Sequence, residues 1–163
     1  MLLKLNNNQI SRLKELMINS ANKGNLANSG MVLDENGNTI AEAESLVVTN
    51  HNATDHSERM LVEQVCKNKE NNYTAGLTMI TVCQPCLMCL SACSQAGYKQ
   101  IAYIIPAKKY VDKIPWMSDN INVDMNEIAK TMTDPIELIH TSEYEQDFSE
   151  VFEKAMSRHL DTK

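Results

Sequence analysis

The sequence predicts an α/β fold: three α-β-α layers built on a mixed five-stranded sheet. Three observations carry this. Apolar runs of strand length alternate with helical periodicities along the chain. Asn36-Gly37, between two short apolar runs, marks a hairpin and therefore an antiparallel pair. Residues 77–105 read as strand, helix, strand, which requires a right-handed crossover between parallel strands.

Each element has its own signal. Ile10, Leu13, Met17 and Ile18 recur near helical spacing over residues 8–22, and Gly24 follows as a stop. Strands are expected at 29–34 and 39–47, on either side of the Asn-Gly turn. A second helix is expected to about 69, with Thr54 or Asp55 able to cap it. The run LTMITV (77–82) is a short buried strand, and Pro85 suits the first turn of the next helix. That helix should run from 86 to Gly97, and QIAYII (100–105) is the strand after it. Beyond Pro106 the signal weakens. Residues 107–122 look like a loop, 123–132 and 145–159 read as helices, and PIELIH (135–140) as a last strand. The expected organisation is one domain over 1–163, with its core at 25–105 and a C-terminal helical region at 106–163.

The chain has 163 residues, enough to bury roughly 70% of its unfolded surface without a staple. A metal is therefore expected for chemistry rather than for holding a core. The net charge of −6 and the lack of a Lys/Arg block count against nucleic acid as a partner. The N-terminus has no long apolar run of a signal peptide, and no run of about 18 apolar residues predicts a membrane span. Five crowded cysteines do not resemble a secreted disulfide framework, so a reducing cytoplasm is the expected compartment.

Four of the five fall in TVCQPCLMCLSAC, and two metals suit that spacing. The full run Cys83, Cys86, Cys89, Cys93 has the C-x2-C-x2-C-x3-C form of an iron–sulfur ferredoxin. Such runs place Pro after the fourth Cys, where this chain has Ser94. Leu87, Met88, Leu90, Ala92 and Ala96 also favour a helix over a cluster-wrapping loop. On that helix Cys93 faces the core as a small buried hydrophobe, and Cys66 is read the same way. Cys83 sits at the strand end, near the metal but outside its ligands. Cys86 and Cys89, three apart on the first turn, can bite one zinc ion, and the helix dipole favours their thiolates. A lone C-x-x-C also suits redox and structural zinc sites. Structural zinc needs four protein ligands, and no second C-x-x-C outside this run and no H-x-x-H exists. Catalytic zinc needs three, so one His completes the set.

His140 and His159 read as surface or core residues, and His51 lies in a polar loop. His56 stands at the start of the second helix, with Glu58 two residues on. Periodicity puts Glu58 with Leu61, Val62 and Val65 on the inward stripe, where a carboxylate is seldom buried without purpose. The competing reading makes Glu58 the N3 partner of Asp55 in a capping box. H-x-E at one helix start and P-C-x-x-C at the next form the signature of zinc nucleobase deaminases. Both helix starts should meet at one end of the sheet.

At these residues the chain resembles the cytidine/deoxycytidylate deaminase superfamily, and within it the branch of bacterial guanine deaminases and tRNA adenosine deaminases. The segment Asn52-Ala53-Thr54-Asp55-His56-Ser57-Glu58 is similar to the branch's Asp-Pro-Thr-Ala-His-Ala-Glu. Gln84-Pro85-Cys86-Leu87-Met88-Cys89 is similar to its Glu-Pro-Cys-Pro-Met-Cys. The stretch Gly30 to Gly37 resembles its first strand and turn, and the likeness spans about 25–105. The resemblance implies His56, Cys86 and Cys89 as zinc ligands and Glu58 as proton shuttle. Ser45 stands where relatives carry a substrate-binding Asn, and Ser29 where some carry Phe. Further candidate substrate contacts are His51, Ser57 and Trp116; Trp116 reads more readily as core than as lid. The resemblance also implies a homodimer. The function expected is hydrolytic deamination of a nucleobase or nucleoside, guanine-like in preference. The alternatives are tRNA adenosine deamination, a non-catalytic zinc domain on the same scaffold, and the iron–sulfur carrier.

Overall fold

The computed structural model describes residues 3–114 and 122–160, so Trp116 lies outside the described residues. The elements in chain order are α1 (Asn7–Asn22), β1 (Ser29–Leu33), β2 (Thr39–Glu44), α2 (Ser57–Asn68), β3 (Thr78–Cys83) and α3 (Leu87–Gln95). They are followed by β4 (Gln100–Ile105), α4 (Met125–Thr131), β5 (Glu137–His140), α5 (Glu145–Ala155) and α6 (Ser157–Leu160). The five strands form one sheet in the order β2-β1-β3-β4-β5. Strand β1 is antiparallel to both β2 and β3, while β4 is parallel to β3 and β5 parallel to β4. The sheet is mixed, as the hairpin and crossover signals required.

Both faces of the central strands are covered, so their sequences read as continuous apolar runs rather than alternating ones. Met31, Leu33, Ile80, Val82 and Ile104 point to one core with Leu13 and Met17 of α1 and Phe148 and Phe152 of α5. The alternate residues Val32, Met79 and Ile101 point to the other core with Leu61 and Val65 of α2, Leu90 and Cys93 of α3, and Met125 and Ala129 of α4. This gives the three α-β-α layers.

Local chemistry fixes the ends. A capping box starts α1: the Gln9 N–H donates to Asn6 Oδ1 (2.9 Å) and the Asn6 N–H to Gln9 Oε1 (3.0 Å). In the hairpin, Gly37 takes φ +81°, a value that suits glycine, and its N–H donates to Asp34 O at 3.0 Å. Gly30 serves close packing. A Cβ there would lie 2.7 Å from Ile80 O and 3.1 Å from Leu61 Cδ1, so β1 can approach β3 and α2 this closely only with glycine.

Several expected boundaries move. β2 ends at Glu44 rather than 47: the Ser45 carbonyl accepts from Ser20 Oγ and the Leu46 N–H donates to Asp55 O, so the chain leaves the ladder. Neither Thr54 nor Asp55 caps α2; its N-cap is His56. The Asp55 carboxylate is instead held by Arg59, Asn50 and Asn52. Pro85 precedes α3 rather than sitting in its first turn, since Cys86 is the N-cap. The last helix breaks at Met156, giving α5 and α6. Cys66 is half-buried against the second core rather than enclosed in it. The last strand expected at 135–140 forms as β5, two residues shorter at its start. Among the described residues no helix is long and apolar enough to cross a membrane.

Candidate active site

The site lies where β3 ends and where α2 and α3 begin. His56 and Cys86 are the N-cap residues of those helices, and neither side chain caps its own helix. Both side chains point at a shared centre, with the positive ends of two helix dipoles behind them. Cys89, one turn into α3, is buried. His56 Nδ1 lies 3.6 Å from Cys86 Sγ and 3.6 Å from Cys89 Sγ. All three ligand atoms fall within 4.8 Å of one another.

These distances fit zinc. Tetrahedral zinc, with bonds of about 2.1 Å to nitrogen and 2.3 Å to sulfur, sets a nitrogen and a sulfur ligand about 3.6 Å apart. Three protein ligands leave the fourth position for water, as a catalytic site requires. The sulfurs are also prepared as ligands. A hydrogen bond from Cys89, helped by His56, brings the Cys86 thiol down to about 4. The same bond, with burial, pushes Cys89 up. Cys86 is therefore the more readily ionised of the two sulfurs. Iron–sulfur binding does not fit, because Cys83 and Cys93 stand outside the three-residue group. Both are buried in the core, and burial pushes both thiols up.

Glu58 sits on the first turn of α2 and is only 2% exposed. It does not complete a capping box with Asp55. Its Oε1 accepts from the Thr81 hydroxyl (3.0 Å) and its Oε2 from the Ser57 hydroxyl (3.0 Å). Burial pushes its carboxyl up, its own main-chain N–H and Thr81 pull it down, and burial wins. Cys86 pushes the carboxyl up further and His56 pulls it down.

The other sequence candidates are distributed unevenly. Ser57 is fully buried and its hydroxyl is committed to Glu58. Ser45 is buried beside it and accepts the Ser57 N–H at 3.4 Å. His51 is exposed in the turn before α2, with φ 50°. Exposed His140 stacks on Tyr103 with centroids 5.2 Å apart and pairs with Glu145, outside the group of three ligands. Sequence reasoning missed Asn28 and Thr81. Both are buried and both contact Glu58. The only advance signal was an Asn just before a strand and a Thr inside one.

A fold and a site of this kind define an α/β domain with a His/Cys/Cys group suited to zinc and a buried carboxylate on the first turn of α2. The model of the cytidine and deoxycytidylate deaminase zinc-binding region matches residues 5–105. The chain belongs to that family. It is 30% identical over 94 residues to the guanine deaminase of Bacillus subtilis (strain 168), a match covering 58% of this chain and 60% of that protein. The guanine deaminase from Nitrosomonas europaea has the same fold, with TM-score 0.78 at 12% identity, over 96% of this chain and 87% of that one. A chain from work on tRNA:A34 deaminases, which perform A-to-I editing at the transfer RNA wobble position, superposes with TM-score 0.62 at 15% identity. It covers 80% of this chain and 98% of its own.

Proposed function

We propose that this protein is a zinc-dependent hydrolytic deaminase of a nucleobase or nucleoside, with a guanine-like purine as the favoured substrate. The observation that carries the proposal is the His56 Nδ1 distance of 3.6 Å to both cysteine sulfurs, with buried Glu58 two residues away. The preference for guanine is supported by the curated name of the 30%-identical relative. His56, Cys86 and Cys89 hold the zinc. Zinc so held lowers the pKa of a bound water from about 15.7 to near 7, making hydroxide available at neutral pH.

Glu58 supplies the proton traffic. It takes the proton of the attacking water while a new C–O bond forms at the amidine carbon of the base. It then delivers protons to the ring nitrogen and to the departing amine, so one carboxyl acts as base and acid in turn. The C–N bond breaks, ammonia leaves and a carbonyl remains. Main-chain N–H groups near Ser57 and Cys86, at the starts of α2 and α3, are proposed to face the substrate's polar edge. Ser45 and His51 lie near these turns and are the proposed substrate side, with Trp116 as a further candidate; Ser57, its hydroxyl committed to Glu58, acts there through that carboxyl. The whole chain is proposed to act as one domain, in a homodimer, in a reducing cytoplasm.

The second reading is deamination of adenosine in tRNA, favoured by the TM-score of 0.62 to the tRNA:A34 deaminase chain. The net charge of −6 weighs against it. An ammonia-release panel over free bases, nucleosides, nucleotides and tRNA, on protein loaded with one zinc per chain, tests the proposal. Release from guanine or a related purine is expected. Release from tRNA alone would establish the second reading, and no release from any substrate would leave a non-catalytic zinc domain.

A further inference from the structure

We infer that Asn28, at the entry to β1, is a positioning residue that sets the direction of the Glu58 carboxyl through the Ser57 hydroxyl. The inference rests on the role of Glu58 proposed above. Asn28 is 4% exposed and every polar atom of its amide is engaged. Its Oδ1 accepts two main-chain donors, the Cys83 N–H at 2.9 Å and the Ser29 N–H at 3.0 Å. Neither partner can accept in return, so the oxygen must face β3 and the nitrogen must face α2. Nδ2 then donates to Ser57 Oγ at 3.3 Å and points at Glu58 Oε2 at 3.5 Å.

Ser57 has one hydroxyl proton. With its oxygen accepting from Asn28, that proton is directed to Glu58 Oε2 at 3.0 Å. The Thr81 hydroxyl lies 3.0 Å from the other carboxyl oxygen and shares its one proton between that oxygen and Cys83 O at 2.9 Å. The two ends of the carboxyl are thus held from β3 and, by way of Ser57, from the start of β1. Ser45, whose N–H donates to Asn28 O at 3.1 Å, closes the frame by accepting the Ser57 N–H. Asn28 therefore ties the strand bearing Cys83, the N-terminus of α2 and the Glu58 carboxyl into one fixed unit. A carboxyl that must serve a water, a ring nitrogen and a leaving amine in turn depends on such a fixed position.

Two substitutions separate this role from simple support of the fold. Asn28→Asp keeps an oxygen for the Cys83 and Ser29 N–H groups and removes the donor to Ser57. Ser57→Ala leaves Asn28's strand contacts intact and removes the hydroxyl between it and Glu58. Each should lower kcat about tenfold to a hundredfold with KM changed less than about twofold. Zinc content should be unchanged, and the double variant should lose about as much as either single one. Crystal structures of the two single variants should show the Glu58 carboxyl displaced by about 1 Å or more. Wild-type kcat in Ser57→Ala, or effects that multiply in the double variant, would overturn the inference. So would an unmoved Glu58 carboxyl in either crystal structure. If Asn28→Asp fails to fold, Ser57→Ala alone decides. Should the wild-type protein release no ammonia, the proposed function fails, and the carboxyl position in the crystal structures still decides the role of Asn28.

Discussion

A carboxyl 2% exposed in a protein interior is either paired with a cation or kept for chemistry. Among the described residues, the Glu58 oxygens meet two hydroxyls and an amide. Glu58→Gln keeps the size and one acceptor but cannot carry a proton. We expect it to retain one zinc per chain and lose about 10²- to 10⁴-fold in kcat; metal analysis beside an ammonia assay checks both. Normal turnover would remove Glu58 from the mechanism. Cys86→Ala should instead lose the zinc itself, and a variant still holding one zinc per chain would strike Cys86 from the ligands. These four residues were legible in the sequence because the spacings H-x-E and C-x-x-C are set by one helical turn each. Asn28 was not legible: its partners Ser57, Glu58 and Cys83 lie 29, 30 and 55 residues away, and a long-range amide contact leaves no spacing to read.

At the scale of elements, function displaced the ordinary rule for helix starts. Thr54 and Asp55 are good caps by residue type, yet the N-cap positions of α2 and α3 hold His56 and Cys86. A ligand placed at an N-cap points away from its own helix and toward whatever stands before it. Two helices starting at one sheet end can therefore converge on one ion. The crossover and the hairpin were readable from Gly and Asn-Gly punctuation. The end of β2 was not, because Leu46 and Val47 look like strand residues while their main chain is claimed by the loop to α2. The convergence also depends on how closely β1 can lie under α2. Gly30→Ala would set a methyl 2.7 Å from Ile80 O and 3.1 Å from Leu61 Cδ1. The backbone oxygen cannot step aside as a side-chain end can. The expected cost is about 1–3 kcal/mol, read from the urea midpoint at unchanged slope. An unchanged midpoint would show that β1 is free to move away from α2.

Across the whole molecule, the metal ligands and the cores are separate structures. One core joins α1 and α5 through Leu13, Met17, Phe148 and Phe152, and it includes none of the ligands. The other is filled by Leu61, Leu90, Tyr98 and Ile101 and includes none either. The segment beyond Pro106 illustrates why length alone could not reveal this. Phe148 and Phe152 close a core whose other half is more than a hundred residues earlier, and only the folded chain brings them together. With both cores independent of the ion, zinc should stabilise the protein by mass action rather than create its fold, unlike a small zinc finger. Free zinc at 100 times its Kd adds about 2.7 kcal/mol, or about 5–10 °C in Tm for a chain of this size. Stripping the metal with a strong chelator should therefore abolish turnover and lower Tm by that order. The far-UV circular dichroism and a single cooperative unfolding transition should persist. A chelated protein with a random-coil spectrum would mean that the ion holds the two helix starts, and through them the sheet, together.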